Sequence, residues 1–480
     1  MPIATFIVIG LLIYNLVRRK DMKEKWMFFL MLSVLCSILQ MQGYLFKFGD
    51  FEFSSLRKLT GMFCAIYSFY VLIKLRKYNS PIIIVAIFFL LSVALGICIE
   101  LAIPYDGEIM PSDSYHTWDL YTIGACNRVK DTLQIVQVTR LFGALVMFSI
   151  ITIAIKEVCT KEDLLKLVKR LLYVSQFAVY FGVFEFIMKN IIGDLTITFD
   201  IVSVLFGEKT SSFKEAFKKG SDFYTLQGIT PEPSGYITFL YFISVLLIFF
   251  YEHEKYYFSR TKKLLLLAYF VLLNLLMYFA GGFTYVWCLL ILILYLVNIK
   301  TKFYRKSLFK KFQLFAIVFA LMIAAASFIS MLDSPYLAYY IDLAYYIDRS
   351  IDAYNVFLDL LNGGNPLLTL DEGMASSIAR LSSIVLVASD ALNRPLLGLG
   401  LGLEFAHDNT ATMFADIGLV GIALWMTFMN YRVRKNVRYD NMAIVILILL
   451  YGVFSGYSTV YMEYYVPLFV EMTRLYVKEK

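Results

Sequence analysis

Long apolar runs with almost no charge recur along this chain, and they restrict its fold more than any other feature. A run of about 20 apolar residues is long enough for one helix to cross the hydrocarbon core of a bilayer. Hydrophobic residues make up 60% of the 480 residues and charged residues only 17%, whereas soluble domains carry about 25% charged residues. The sequence therefore predicts an all-α polytopic membrane protein and excludes a soluble enzyme, a nucleic-acid binder and a disordered scaffold.

The apolar runs predict about 12–13 transmembrane helices. Each run is continuous over a helical length, unlike the alternating segments of membrane β-strands. The predicted spans are 2–17, 26–46, 59–75, 81–103, 135–155, 171–188, 235–251, 264–280, 283–298, 312–331, 410–430 and 442–458, followed by a broken element at 462–474. No soluble domain separates them, so residues 1–480 are predicted to form a single integral membrane domain.

Lysine and arginine are concentrated in alternate loops, and this asymmetry predicts the orientation. The loops at 18–25, 74–80, 156–170, 252–263, 299–311 and 431–441 hold 27 of the 44 Lys and Arg residues. Cytoplasmic loops carry the excess of Lys and Arg, so these loops are predicted to be cytoplasmic. The larger outer segments are then 47–58, 104–134, 189–234 and 332–409.

The outer segment 332–409 contains two unusual stretches. Residues 374–392 are apolar, but if they crossed the bilayer the basic loop at 431–435 would move outside. We therefore expect an interfacial or re-entrant helix there. The hexapeptide LAYYID occurs twice, at 337–342 and 343–348. Its tyrosines are interpreted either as headgroup-level anchors or as an aromatic platform for sugars.

The sequence offers no cofactor or metal site. The six cysteines form no C-x-x-C pair, and the predicted topology distributes His116, His253 and His407 over different sides of the membrane. The short basic inner loops contain no phosphate-binding glycine loop. Any chemistry is therefore expected on the outer face, with a substrate that is already activated.

A glycine-rich stretch before the span 410–430 carries the strongest local signal. Pro395 is expected to end a helix, and Gly398, Gly400 and Gly402 permit tight turns and close backbone approach. The turns lead to the polar cluster His407-Asp408-Asn409, predicted at the outer mouth of the span.

Asp416 lies about two turns inside that span. An ionisable residue in a span is energetically expensive and indicates either a function or a buried partner. Gly418 and Gly421, three residues apart, permit close helix contact.

Three further charged residues are candidates for the site. Arg380 is isolated in the apolar stretch 374–392 and either reaches headgroup phosphate or binds a particular anion. Arg140 lies in the outer part of the fifth span and needs a carboxylate partner or an anionic ligand. Glu232, between two prolines in G-I-T-P-E-P-S-G (228–235), is either part of a stiff turn or a carboxylate held at the outer mouth.

Together these motifs resemble the carboxyl-terminal signature of the O-antigen polymerase and O-antigen ligase family of bacterial inner-membrane proteins. In that family P-x-x-G-x-G precedes H-N-x-x-L and E-x-G-x-x-G; here P-L-L-G-L-G (395–400) precedes His407, Asp416, Gly418 and Gly421. The E-P-S tripeptide before a span is similar to a feature of the polymerase branch. The resemblance covers about 60 of the 480 residues. Asp408 takes the place of the usual Asn, Asp416 replaces Glu, and paired Arg-and-Gly motifs are not evident.

The resemblance implies a metal-independent glycosyltransferase without a cofactor, acting at the periplasmic face of the inner membrane on an undecaprenyl-pyrophosphate-linked oligosaccharide. It implies catalytic roles for His407, Arg380 and Glu232, with His407 favoured over Glu232 as the base. Arg140, Asp408, Asn409 and Asp416 are expected to bind substrate or to orient the base. Membrane lipids surround the protein, and a chain-length regulator is a partner implied only by the family.

Three functions remain open at this point. A polymerase passes the growing chain onto the next lipid-linked repeat unit, whereas a ligase passes the finished chain to lipid A–core; the P-E-P-S segment favours the polymerase. A flippase for lipid-linked oligosaccharides is the alternative of a different class. The long outer loop and the lack of a visible inverted repeat argue against it.

Overall fold

A computed structural model describes most of the chain. The described residues are 3–39, 44–48, 51–109, 133, 135–206, 218–219, 223–230, 233–280, 285, 288–289, 291–293, 296, 355, 358, 383–404, 406, 409–431 and 460–478. They divide into two compact units: Met1–Lys77 with Ile150–Asp342 and Pro467–Lys480, and Tyr78–Ser149 with Leu343–Val466.

The described residues are helical apart from two short hairpins and the connecting segments. The helices are α1 (Ile3–Arg18), α2 (Met22–Ile38), α3 (Leu56–Lys74), α4 (Pro81–Ala102), α5 (Ile135–Val158), α6 (Lys161–Phe186), α7 (Ile197–Phe206), α8 (Pro233–Glu254), α9 (Arg260–Ala280), α10 (Asn409–Asn430) and α11 (Tyr465–Lys478). Residues 383–391 are also helical, Ile187–Ile192 form a π-helical turn, and Lys255–Tyr257 and Val460–Met462 form 3-10 turns. The antiparallel hairpins pair β1 (Tyr44–Phe48) with β2 (Phe51–Ser55) and β3 (Lys218–Lys219) with β4 (Phe223–Tyr224).

Seven helices in the described part of the chain are long and apolar enough to cross a membrane. They are α3, α4, α5, α6 with its π-helical turn, α8 with its 3-10 turn, α9 and α10. This confirms the prediction of an α-helical polytopic membrane protein, while the total of 12–13 spans and the single-domain assignment stay predictions.

In the first unit, α2 and α8 lie in the interior. Trp26 of α2 is fully buried and donates from Nε1 to Ser68 Oγ on α3 at 2.8 Å. Ser33 Oγ donates to the Thr60 carbonyl at 2.7 Å, so α2 and α3 run antiparallel. A buried ion pair joins α5 to α11, with Lys156 Nζ 3.0 Å from Glu471 Oε1. Polar side chains that are paired inside the unit thus fix which helices are neighbours.

In the second unit, α4 packs against α10. Phe89 and Phe428 stack with ring centroids 6.3 Å apart. Gly96 of α4 contacts the Leu397 carbonyl of the glycine-rich loop, since a Cβ at Gly96 would lie 2.7 Å from that oxygen. This small residue lets the loop reach the backbone of the helix.

Two predicted spans differ from the observed helices. The span 26–46 is wrong at its end, because α2 stops at Ile38 and Tyr44–Phe48 form a strand of a hairpin; the aromatic-rich sequences YLFKF and FEFSS favour that pairing. The span 171–188 begins ten residues earlier than predicted, at Lys161. There the Thr160 hydroxyl accepts from Asp163 N (3.3 Å), and Asp163 Oδ2 accepts from Thr160 N (2.8 Å).

Several predictions fall outside the described residues. These are the LAYYID repeat, the spans 312–331 and 442–458, most of the span 283–298, and most of the outer loop 332–409. Of the apolar stretch 374–392, residues 383–391 are helical, and their Val387 and Ala391 are buried.

Candidate functional site

The glycine-rich loop of the second unit contains three glycines in backbone conformations that other residues rarely adopt. Gly398, Gly400 and Gly402 all have positive φ, at 78°, 119° and 80°. A side chain at Gly398 would collide with backbone, since its Cβ would lie 2.5 Å from the Ala415 carbonyl oxygen. Between the glycines, Leu399 and Leu401 are fully buried. The loop is therefore a packed element of the core, as the glycine pattern predicted.

The loop pairs with a break in α10 at Gly418. This residue has φ 62° and ψ −176°, which interrupts the helical hydrogen bonding. The N–H groups after the break donate to the loop instead: Leu419 N to the Pro395 carbonyl at 2.8 Å and Val420 N to the Leu396 carbonyl at 3.0 Å. In the opposite direction, Leu399 N donates to the Ala415 carbonyl at 2.7 Å. A broken helix inside a membrane needs such substitute partners, and the motif P-L-L-G-L-G supplies them.

Asp416 is buried two residues before this break. Its Oδ1 accepts from Gly402 N at 2.8 Å, and its Oδ2 accepts from Tyr461 Oη at 2.8 Å. Both oxygens thus have protein donors, as expected for a buried carboxylate. Asp416 fixes the position of the glycine-rich loop, and its proposed part in substrate binding stays a prediction.

Asn409, the first residue of α10, is fully buried. Its Oδ1 accepts from Tyr461 N at 3.1 Å, whereas its Nδ2 has no acceptor among the residues that the structure describes. Three residues further along α10, Thr412 Oγ1 both accepts from Ala406 N (3.1 Å) and donates to the Ala406 carbonyl (3.2 Å). Both flanks of the predicted His407-Asp408 pair are therefore held in place.

Tyr461 joins these parts together, although nothing in the sequence pattern singled it out. It is fully buried, it bonds both Asn409 and Asp416, and its carbonyl accepts from Trp425 Nε1 at 3.1 Å. Burial, with the neighbouring Asp416 carboxylate, raises the pKa of the Tyr461 phenol well above its ordinary value. Tyr461 therefore stays a hydrogen-bond donor over the physiological range.

An ion pair holds the start of the glycine-rich loop. Arg394 Nη1 lies 2.5 Å from Glu100 Oε2, and Nη2 donates to the Ile103 carbonyl at 2.5 Å. Glu100 is buried at the end of α4 and also accepts from Tyr105 N at 3.0 Å. Asn393 Nδ2 donates to Tyr105 Oη at 2.9 Å. Sequence reasoning missed this cluster, although an arginine just before P-L-L-G-L-G and a carboxylate at a span end were both visible.

Arg140 is close to the same loop. It is exposed on α5 and makes no ion pair with the described residues. On the same helix, Gln137 Nε2 donates to the Gly402 carbonyl at 3.2 Å, and Leu141 contacts Gly402. Arg140 lies about one turn after Gln137 and directly before Leu141 on this helix, so it provides an accessible positive charge beside the loop.

A second buried carboxylate organises the segment before Glu232, in the first unit. Glu185 of α6 accepts from Gly228 N at 2.6 Å, from Gln227 N at 3.1 Å and from Lys189 Nζ at 2.6 Å. The π-helical turn that follows brings Asn190 to Tyr224, whose N–H donates to Asn190 Oδ1 at 2.6 Å. Gln227 and Gly228, at the start of the G-I-T-P-E-P-S segment, are therefore bound to α6.

The predicted site residues fall into two groups. The structure brings Asn409 and Asp416 together through Tyr461 and places Arg140 on the helix that contacts the loop. His407, Asp408, Arg380 and Glu232 lie outside the described residues. Comparisons with protein-family models, with curated proteins and with solved structures find no match.

Proposed function

We propose that this protein polymerises lipid-linked oligosaccharide repeat units at the periplasmic face of a bacterial inner membrane. The proposal is carried by the backbone hydrogen bonds that join the glycine-rich loop to the broken helix α10, which we call the interlock. Through it, the two halves of the family-like signature become one packed element, with Asp416 bonded to Gly402 N–H. The residue pattern that suggested the family thus has a physical reason to occur together.

The proposed reaction exchanges one C–O bond for another. The hydroxyl of the acceptor repeat unit attacks the anomeric carbon of the donor sugar, and the bond from that carbon to the pyrophosphate oxygen breaks. Undecaprenyl pyrophosphate leaves with the electron pair, while the hydroxyl proton passes to a base. His407 is proposed as that base because imidazole titrates near neutral pH.

Negative charge on the leaving pyrophosphate needs stabilisation. A guanidinium group pairs with phosphate through two parallel N–H donors. We assign this role to Arg380 and a supporting role to Arg140, which is exposed on α5 beside the loop. Asp408 or Asn409 orients the imidazole, and the buried Nδ2 of Asn409, which has no acceptor within the described part of the chain, is a donor for this purpose. Glu232 is the alternative base.

Extension of pre-formed repeats by the purified protein tests the proposal. The substrate is a single repeat unit on undecaprenyl pyrophosphate, and the products are resolved by chain length. A ladder of longer lipid-linked chains is expected, without nucleotide. Protein that moves the substrate across vesicle membranes and never lengthens it is a flippase, and that result overturns the proposal.

Two variants test the residue assignments. His407→Ala and Arg380→Ala are expected to abolish extension while the protein still inserts and accumulates. His253→Ala and Arg260→Ala are matched controls, since both residues lie in the first unit outside the proposed site. Full activity of both His407→Ala and Arg380→Ala would contradict the assignment.

A deletion strain separates the polymerase from the ligase. Electrophoresis of the surface polysaccharide is expected to show core that bears one repeat unit. Bare core with accumulated lipid-linked polymer identifies a ligase instead.

A further inference from the structure

A groove with charged residues at one end and apolar residues at the other lies between α2 and α6 in the first unit. Its volume is about 330 Å³, within the range of small-molecule sites, about 300–1,000 Å³. The charged lining residues are Arg19, Lys169 and Arg170. The apolar and aromatic lining residues are Phe28, Met31, Tyr173 and Val174.

Two arginines are held together at the charged end: Arg19, in the segment between α1 and α2, and Arg170 of α6. Glu24 Oε2 lies 3.3 Å from Arg19 Nη1 and 2.7 Å from Arg170 Nη2. Each guanidinium has five N–H donors, so each keeps donors for a further acceptor. Both side chains are about one third exposed, at 30% and 34%. The shared carboxylate thus positions the two guanidinium groups and leaves them accessible.

The charged end keeps a positive balance. Lys169 adds a third cation and pairs with Glu254 at 3.3 Å. Three cations therefore face two carboxylates, Glu24 and Glu254, which leaves one excess positive charge. Lys169 is also 47% exposed in its side chain. An anion with several acceptor oxygens can satisfy the free N–H donors of all three cations.

The apolar end continues along the outer surface of α6. Tyr173, Phe177 and Tyr180 follow one another at helical spacing, and they are 76%, 48% and 56% exposed. They form a stripe that leads away from the charged end. An occupant therefore needs an anionic head and an apolar tail that continues into the bilayer.

We propose that this groove binds an anionic phospholipid, with the phosphodiester at Arg19, Lys169 and Arg170 and an acyl chain along Tyr173 and Phe177. The predicted topology places this end of both helices among the basic loops, where arginine and lysine meet lipid phosphate. Free phosphate matches the cations but leaves the apolar stripe uncovered. The site uses none of the residues proposed for polymerisation.

Lipid retention by the purified full-length chain tests the proposal. The protein is equilibrated with equimolar phosphatidylglycerol and phosphatidylcholine, and bound lipids are counted by native mass spectrometry. Selective retention of phosphatidylglycerol is expected. In the double variant Arg19→Gln/Arg170→Gln, that retention is expected to weaken roughly thirtyfold. Arg260→Gln, which removes an exposed arginine of α9, is the matched control and is expected to retain the lipid.

A photoactivatable phosphatidylglycerol probe gives a second measurement that needs no variant. Cross-linking of wild-type protein is expected in the peptide that contains Tyr173 and Phe177, and excess unlabelled phosphatidylglycerol is expected to abolish it. Displacement of the probe by inorganic phosphate at the same concentration would assign the site to free phosphate. Equal retention of both lipids, unchanged retention in the double variant, or cross-linking elsewhere only, would each overturn the proposal.

Discussion

Tyr461 donates a hydrogen bond from its phenol to Asp416 Oδ2 at 2.8 Å, although 45 residues separate the two in the chain. The other carboxylate oxygen accepts from Gly402 N at 2.8 Å. One buried carboxylate therefore joins the glycine-rich loop, the broken helix α10 and the 3-10 turn Val460–Met462. If the proposed base His407 depends on this framework, the framework residues affect both stability and activity.

Tyr461→Phe is expected to destabilise the protein, because it leaves a buried oxygen of Asp416 without its donor. Loss of such a partner costs about 1–3 kcal/mol. Thermal unfolding in detergent measures the change, and Tyr257→Phe is the control because Tyr257 is 84% exposed. Equal melting temperatures of the wild type and Tyr461→Phe would contradict the geometry.

The stability difference between the wild type and Tyr461→Phe is expected to depend on pH. The pKa of Tyr461 is raised in the folded state, so folding favours the protonated phenol. Its contribution is complete below the unfolded pKa of about 10 and is lost as the pH rises towards the folded pKa. The stability difference between wild type and Tyr461→Phe should therefore shrink above pH about 10. A difference that grows with pH has the wrong sign for this explanation.

Alanine at Gly418 or Gly398 is expected to disrupt the interlock. Gly418 has a backbone conformation open almost only to glycine, and forcing another residue into it costs about 1–3 kcal/mol. Its Cβ would also lie 2.5 Å from the Leu396 carbonyl oxygen. Gly143→Ala is the control, because Gly143 has helical backbone and open space around it; alanine there is expected to be neutral or to stabilise by up to about 1 kcal/mol. Thermal unfolding of all three variants checks that the two interlock variants are less stable than Gly143→Ala.

Arg394→Gln is expected to destabilise the start of the glycine-rich loop by about 2–4 kcal/mol. It leaves the buried Glu100 carboxylate without its cation, and removal of one partner from a buried pair is costly. The value is reduced from the fully buried case because the Arg394 side chain is 21% exposed. A double-mutant cycle with Glu100→Gln measures the coupling; simple additivity of the two single effects would argue against the pair.

Glu185→Gln is expected to weaken the attachment of Gln227 and Gly228 to α6 and to destabilise the protein. An amide offers one acceptor oxygen in place of two, and it leaves the Lys189 ammonium buried without a counter-charge, at about 3–5 kcal/mol. Adding Lys189→Met to Glu185→Gln should restore part of the stability, since no buried charge is then left. Thermal unfolding of the single and double variants gives the comparison, and a less stable double variant would refute the explanation.

Local sequence features were sufficient for several parts of the fold and site. Apolar length predicted α3, α4, α8 and α9 to within a few residues. The glycines 398, 400 and 402 were expected in tight turns, and all have positive φ. Asp416 was expected to have either a function or a buried partner, and its partners are Gly402 N and Tyr461. These features depend on residues close together in the chain, where composition and spacing act directly.

Other parts followed only from pairing between distant segments. The sequence predicts an uninterrupted span at 410–430, whereas the helix breaks at Gly418. The break depends on loop carbonyls more than 20 residues away, which accept from the N–H groups of Leu419 and Val420. The pairs Glu100–Arg394 and Asp416–Tyr461 likewise join residues 294 and 45 positions apart.

The sequence alone determined that this chain forms apolar membrane helices and that a glycine-rich loop precedes a polar cluster. The tertiary structure decided which helix that loop reaches, and which buried polar groups bond to one another. The physical reason is range: helix formation and turn geometry depend on neighbouring residues. A buried carboxylate instead requires whichever donor the packing brings within hydrogen-bond distance, as Tyr461 is brought to Asp416.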